Sequence, residues 1–267
     1  MIDSLKTHLR DLLPKRYQVP AKYWYGWLRS TLEPEMKFLD IIVRSDDRVI
    51  DIGGNRGVYA YPLWRLGARV EVFEPNPLCC DILTVWACDK PSVNVYSVAL
   101  SSHPGSANLH VPVDDAGVAH DASASIENTG FAHARHVPVC LRTLDSFGFQ
   151  DVSLIKIDVE GHEYRVIDGA AETLISGRPA LLVEIEQRHC DRPIAEVFER
   201  ILGFGYRGFF IRAGQLQTLS NFDLSRDQSM QSFNDPTTDY INNFLFLHQT
   251  RLTAGEYSSL VSSGLLK

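Results

Sequence analysis

The stretch Val49–Gly57, VIDIGGNRG, constrains this chain more than any other part of it. An apolar strand ends in an acidic residue, Asp51. Gly53, Asn55 and Gly57 follow at two-residue spacing, and a helical pattern then begins. Only small or turn-tolerant residues let a backbone swing sharply off a strand and pass close to a ligand. Amides at the start of the following helix then face that ligand. A second apolar run, Val70–Phe73, ends in Glu74. A carboxylate at the tip of the second strand of a βαβ unit accepts hydrogen bonds from the ribose hydroxyls of a nucleoside. The N-terminal third therefore reads as a nucleoside-binding βαβ unit, although the same glycines also suit a plain structural turn.

The register of the glycines separates two kinds of nucleoside. Dinucleotide folds use G-x-G-x-x-G, whose glycines admit a pyrophosphate. The run Gly53-Gly54-Asn55-Arg56-Gly57 fails that register. Acidic-x-Gly-x-x-x-Gly instead suits S-adenosylmethionine, which has no phosphate and carries a positive sulfonium and ammonium. An acid at the strand tip attracts such a cation.

The rest of the chain alternates in the same way. Apolar strands are predicted at Arg48–Ile52, Val70–Phe73, Val93–Val98, Leu154–Val159, Ala180–Ile185, Gly208–Ile211 and Phe244–Leu247. Helices are predicted at Glu33–Val43, Val58–Leu66, Leu78–Cys88, Glu163–Ile175 and Ile194–Leu202, with a short amphipathic one at Ser4–Leu13. Continuous apolar strands separated by helices imply a parallel sheet covered on both faces. Ligands of such sheets sit beyond the carboxyl ends of the strands. Two segments break the rhythm. Ser101–Thr143 carries β-like runs at Asn108–Val113 and His136–Leu141, flanking the Ala-, Ser-, Asp- and His-rich stretch Asp114–Arg135. Ala213–Tyr240 is polar and poorly periodic. Long irregular insertions in compact domains are often functional, and both are expected to cover the site.

Composition narrows the class. The chain has 267 residues, of which 45% are hydrophobic, enough for a core that needs no staples. A net charge of −7 without a Lys/Arg run disfavours a nucleic-acid substrate. No apolar run reaches the roughly 18 residues of a membrane span, and the N-terminus lacks a signal-peptide pattern, so a cytoplasmic protein is expected. The five cysteines, Cys79, Cys80, Cys88, Cys140 and Cys190, form no C-x-x-C pair, which argues against a disulfide framework or a structural zinc site. Tyr17–Leu32 carries five aromatics and reads as a helix packed on the core or as a lid over a ring-shaped substrate.

A second motif lies at Leu154–Glu163, LIKIDVEGHE, where a buried strand ends in Asp158, Glu160, His162 and Glu163. Ala180–Glu186, ALLVEIE, repeats the theme with Glu184 and Glu186, and His189 follows. Together, VIDIGGNRG, VFEPNP (Val72–Pro77), VAL (Val98–Leu100), LIKIDVEGHE with DGA (Asp168–Ala170), and NNFLFLH (Asn242–His248) resemble the FkbM family of S-adenosylmethionine-dependent methyltransferases. The resemblance covers roughly Arg48–His248, and the KIDVEGHE block is its most specific part. It implies an α/β fold of the class I methyltransferase, Rossmann-like type: a seven-stranded, mostly parallel sheet of order 3-2-1-4-5-7-6 with the last strand antiparallel. It also implies a methyltransferase domain over 46–250, an N-terminal helical and aromatic extension over 1–45 and a tail over 251–267.

Residue by residue, the resemblance places Asp51, Gly53, Gly54, Asn55 and Gly57 around the methionine part of the cofactor. Glu74 is placed on the ribose with Pro75 and Asn76 beside it, Ala99 and Leu100 on the adenine, and Asp158 and Glu160 near the transferable methyl. Family members often carry Ala where this chain has Gly54 and His162, so His162 is an extra ionisable group. The implied acceptor is a hydroxyl of a small molecule or glycan, such as a sugar or polyketide. His162, Glu186 and His189 are base candidates at the carboxyl edge, with His189 ranked first because an imidazole titrates near neutral pH. Asp158, Glu160 and Glu186 also offer oxygen ligands for a divalent metal, without diagnostic spacing. Lys156 and Glu184, on neighbouring strands, are alternatively a structural ion pair. Two other readings stay open: a nicotinamide-dependent oxidoreductase and a non-catalytic Rossmann-like binding domain. Homo-oligomerisation is left open.

Overall fold

The computed structural model describes residues 12–114, 119–127, 133–234 and 239–262. The expected helix at Ser4–Leu13 lies almost entirely outside the described residues. In chain order the elements are helix α1 (Lys15–Leu28), strand β1 (Arg48–Ile52), α2 (Ala60–Arg65), β2 (Arg69–Phe73), α3 (Pro77–Ala87) and β3 (Val93–Tyr96). Next come β4 (Ala99–Leu100), β5 (Gly105–Pro112), β6 (Ala134–Arg142), β7 (Val152–Ile157), α4 (Glu163–Asp168), α5 (Ala171–Gly177) and β8 (Ala180–Glu184). The chain continues through α6 (Ile194–Leu202), β9 (Tyr206–Arg212), β10 (Gln215–Thr218) and β11 (Asn243–His248).

The main sheet has the order β3-β2-β1-β7-β8-β11-β9-β10. Its first seven members reproduce the expected 3-2-1-4-5-7-6 order, with β11 antiparallel to both β8 and β9. The eighth strand, β10, corrects the expected count of seven. It hairpins back on β9 through Ala213 and Gly214, both at positive φ, which is the backbone a two-residue hairpin turn requires. Only Leu216 of β10 is buried, so this polar edge strand left no apolar run to read.

Alternate residues of each strand serve opposite faces. Val49, Val70, Leu154 and Leu182 join one core cluster, while Ile50, Phe73, Ile155 and Val183 join the other. Each such fully buried side chain contributes about 1.5–3 kcal/mol. Burial on both faces is why these strands read as continuous apolar runs.

Three further expectations are corrected. In Ser101–Thr143 the expected β-like runs are present but longer, as β5 and β6, an antiparallel hairpin joined by β4 around Ala99, Leu109, Val111, Val139 and Leu141. The predicted helix Glu163–Ile175 is broken in two. Gly169 packs so close to the Ser101 carbonyl that a Cβ there would lie 2.0 Å from its oxygen. Asp145 then caps α5 by accepting from the Glu172 and Thr173 amides, each at 2.9 Å. Glu33–Val43 is a 3-10 turn, Pro34–Phe38, followed by one α-helical turn, Leu39–Ile42. Among the described residues, no helix is long and apolar enough to cross a membrane.

Candidate active site

The turn after β1 is built by a close approach of two strand tips. Gly53 has φ +80°, and a Cβ there would sit 1.8 Å from the Asp158 carbonyl oxygen. Gly53 and Gly54 donate their amides to the Phe73 carbonyl, at 2.9 and 3.1 Å, which ties the turn to β2. Asp51 is buried behind this turn, and its Oδ2 accepts no hydrogen bond from any described residue. Burial raises its carboxyl to about 7, against the opposing pull of Lys156. A buried carboxylate oxygen with no partner is costly unless a donor or cation arrives. This fits a ligand that brings positive charge.

Glu74, at the tip of β2, accepts from the Asn55 amide at 2.6 Å and from the Asn76 amide at 2.7 Å. Each carboxylate oxygen keeps a second lone pair for a further donor. Burial pushes Glu74 up to about 7 in spite of these two bonds. Asn76 caps α3 by accepting from the Leu78 amide at 3.1 Å.

The insertion supplies a wall that sequence reasoning missed at the level of residues. Its 3-10 turn, Asp121–Ser123, docks on the glycine turn. Asp121 accepts from Arg56 Nη2 at 2.7 Å and from Asn76 Nδ2 at 3.2 Å, and Asn55 Nδ2 donates to its carbonyl at 3.1 Å. Ser125 Oγ donates to the Glu160 carbonyl at 2.6 Å. No local pattern marks Asp121, because its partners lie far away in sequence.

These parts line a partly open cleft. Of the residues expected from sequence, Gly53, Asn55, Glu74, Pro75, Ala99, Leu100, Asp158, Glu160 and His162 line it. Leu109, Asp121, Ala124 and Ile126 of the insertion join them. Gly57 does not: a Cβ there would meet Val19 at 2.8 Å and Leu83 at 3.0 Å, so its missing side chain serves the packing of α1 and α3. Asp51, Gly54 and Asn76 lie behind the lining. None of the aromatics of Tyr17–Leu32 lines the cleft, and Val19 of that segment is buried in the core, so the helix packs beside the site.

The acidic end of the cleft lies where β7 and β8 end side by side. Glu160 has φ 52° and Gly161 φ +102°, and a Cβ on Gly161 would sit 2.2 Å from the His189 carbonyl oxygen. His189 Nε2 lies 3.2 Å from Glu160 Oε2, without hydrogen-bond alignment. Burial first, then Asp158 and Glu186, raise Glu160 to about 8. Burial and the neighbouring Arg188 lower the His189 imidazole below its ordinary value. His189 and Glu186 stand behind Glu160, outside the lining. Burial opposes ionisation of Glu186, but hydrogen bonds from Arg188 and from Tyr240 Oη, the latter at 2.8 Å, hold it below the usual carboxylate range.

His162 is buried with both ring nitrogens engaged, Nδ1 at 2.6 Å from Glu127 and Nε2 at 3.0 Å from Ser101 Oγ. Glu163 accepts from the Gly161 amide at 2.9 Å, and burial raises it to about 7. The anticipated Lys156–Glu184 ion pair gives way to a different arrangement. Lys156 donates to Asn243 Oδ1 at 3.0 Å and lies over the Tyr59 ring, while Glu184 accepts from Asn242 Nδ2 at 2.7 Å. Asn243 of β11 and Asn242 just before it supply the polar partners in this layer. Burial pushes both Asp158 and Glu184 up. Among the described residues no three acidic, His or Cys side chains converge as metal ligands.

Residues 51–207 match the family model described as the Methyltransferase FkbM domain. The chain is also 26% identical over 164 residues to the 2-O-methyltransferase NoeI of Sinorhizobium fredii (strain NBRC 101917 / NGR234), which is 56% of this chain and 68% of that protein. A methyltransferase FkbM from Methylobacillus flagellatus KT has a solved structure similar to this one, with TM-score 0.49 and 15% identity. That match covers 91% of this chain and 57% of the other, so the chain spans little more than half of that protein. An rRNA methylase from Streptococcus thermophilus matches with TM-score 0.45 and 11% identity over 82% of this chain and 98% of that one.

Proposed function

We propose a reaction from one premise: the chain belongs to the FkbM methyltransferase family. The reading is transfer of a methyl group from S-adenosylmethionine to a hydroxyl of a small molecule or glycan. The observation that carries it is Glu74, a strand-tip carboxylate with free lone pairs that lines the cleft, backed just behind the lining by Asp51, whose buried carboxylate oxygen lacks a partner. These are acceptors for ribose hydroxyls and for an ammonium. Pro75, Ala99, Leu100, Leu109 and Ile126 give the cleft an apolar wall suited to an adenine ring. When bound, S-adenosylmethionine supplies an electrophilic methyl carbon on a positive sulfur.

The protein's part is to hold the acceptor oxygen in line and to take its proton. Positioning of this kind carries much of the rate in displacements. Glu160 lines the cleft with a carboxyl raised to about 8, the range a general base needs near neutral pH. His189 lies 3.2 Å behind it, its imidazole held below the ordinary value by burial and by Arg188, and backs Glu160 without an aligned hydrogen bond. Glu160 thus replaces His189 as first candidate, because it is the member of the pair that reaches the cleft. Asp158, beside it in the lining, is raised by burial, and a cationic donor would favour its ionised form. The likeness to NoeI, named a 2-O-methyltransferase, supports an oxygen acceptor.

Calorimetry with S-adenosylmethionine, S-adenosylhomocysteine and NAD tests the cofactor. Binding of the first two and not of NAD is expected, and binding of NAD alone would sink the reading. Incubation with a panel of sugars and polyketides and labelled donor tests the acceptor. Label in an ether methyl supports the assignment, and label confined to nitrogen or carbon overturns it.

A further inference from the structure

We propose that the outer face of α1 seats the protein on an anionic lipid surface. Thirteen large apolar side chains are exposed among the described residues, and seven of them fall within Leu12–Leu28. Tyr17, Trp24 and Leu28 recur at i, i+7 and i+11 on one side of the helix, with Tyr25 and Trp27 flanking them. Trp27 is 59% exposed and Leu28 74%. The opposite side, Gln18, Val19 and Gly26, is buried against the domain. The helix is therefore held by its inner face and shows an apolar, aromatic face outward. Concentrated exposed patches of this kind mark interaction surfaces.

Charge identifies the occupant. The chain carries −7 overall, yet the stretch 12–30 holds Lys15, Arg16, Lys22 and Arg29 and no acidic residue. Lys15 is paired with Asp81, and the Arg16 guanidinium lies 4.8 Å from the Tyr17 ring centroid. Arg16 and Arg29 are exposed on either side of the aromatic stripe. Tyr and Trp with Lys and Arg beside them suit the boundary between lipid headgroups and acyl chains, where a helix lies in the plane with its apolar face inserted. A locally basic face on an acidic protein is complementary to an anionic bilayer. It would be repelled by a second copy of the same face. The groove beside the helix, lined by Trp24, Met36, Lys37, Tyr61, Arg65 and others, continues the apolar and basic character, with Asp40 as its acidic member. No residue of this face lines the cleft, so the proposal does not rest on the methyl-transfer reading.

The test is co-sedimentation of the whole chain, without donor or acceptor, with phosphatidylcholine vesicles and with mixed phosphatidylcholine–phosphatidylglycerol vesicles. Partition into the mixed vesicles is expected, weakened by salt, with a blue shift of tryptophan emission. Trp27→Ser with Leu28→Ser should lower the partition coefficient at least about tenfold, since each removes an apolar side chain that insertion into the bilayer would bury. Arg16→Glu and Arg29→Glu should lower it by about fivefold or more each. Circular dichroism checks that the variants fold, and the arginine variants decide if the apolar pair does not. No partition into anionic vesicles at low salt overturns the proposal. So does partition that none of the substitutions changes. A vesicle-free dimer abolished by Trp27→Ser with Leu28→Ser would assign the face to self-association instead.

Discussion

Replacing Glu74 by Gln separates the two duties of this side chain. In the native site both carboxylate oxygens accept backbone amides, from Asn55 at 2.6 Å and Asn76 at 2.7 Å. Glutamine has one acceptor oxygen, so its NH2 must face one of those amides and leave a buried N–H unpaired. That costs about 1–3 kcal/mol. The substitution also removes a charge that burial disfavours. Burial lifts Glu74 from 4.5 to about 7, and at about 1.36 kcal/mol per unit the ionised form carries a penalty of about 3 kcal/mol above neutral pH. The two effects oppose each other at pH 8, so the melting temperature should move by only a few degrees. Cofactor binding has no such compensation. Loss of hydrogen bonds to a charged acceptor costs about 1.5–3 kcal/mol, or about 10- to 150-fold in affinity. Calorimetry with S-adenosylhomocysteine at pH 8, beside a thermal melt of the free protein, reads both. Wild-type affinity in the Gln variant refutes the ribose role. A loss of affinity matched by a large fall in melting temperature refutes the separation, and Glu74 would then be a structural tie of the loop. Glu74→Ala is the harsher control, since it strips both amides of their acceptor.

Gly57→Ala should destabilise by about 1–3 kcal/mol through overpacking against Val19 and Leu83, with little change in affinity once folded, as melts and calorimetry would reveal. Gly53→Ala should damage both, because its Cβ would overlap the Asp158 carbonyl, and intact binding there would contradict the contact between strand tips. Asp51, Glu74 and Glu163 are raised to about 7 and Glu160 to about 8. A raised carboxyl contributes stability fully below its unfolded value and loses it as pH rises through the folded one. The melting temperature of the free protein should therefore fall from pH 6 to 9, and a flat or rising curve would show these carboxyls to be better solvated than described. The kcat/KM for the methyl donor should rise through a limb near pH 8 that Glu160→Gln abolishes with a loss of about 10²-fold or more. An acid limb below the ordinary imidazole range that vanishes only in His189→Gln would return the base to the imidazole, and activity lost to a chelator alone would point to a metal.

What the sequence disclosed follows from where the physics is local. The inner strands of the main sheet are buried on both faces, so Ile50, Ile155 and Val183 sit in apolar runs that need no partner to be read. The turn at Gly53 requires positive φ and close approach, and Glu74 ends its strand abruptly; both leave their mark within a few residues. The hairpin of β5 and β6 buries one face only, on a small satellite cluster, and its register rests on pairings such as Leu109 with Val137 across a long loop. Nothing local encodes that. Asp121 is legible still less, since its worth lies in Arg56 and Asn76, brought near only by folding. The break at Gly169 was hidden for a similar reason: the Ser101 carbonyl that forbids a side chain there comes from a distant strand end. The priority of Glu160 over His189 depends on which side chain reaches the cleft, and spacing along two strands does not report it.

One short stretch of the insertion touches both ends of the cleft at once. Asp121 is fastened to the glycine turn through Arg56, Asn55 and Asn76, while Ser125 and Glu127, a few residues on, are fastened to Glu160 and His162 after β7. The stretch works as a crosspiece between two posts. Neither post can lean outward without pulling on the other, so the spacing between the donor and acceptor ends is set by the length of this crosspiece and not by the sheet alone. A residue added or removed between Asp121 and Glu127 would therefore change the width of the cleft between these two posts, while the strands kept their places.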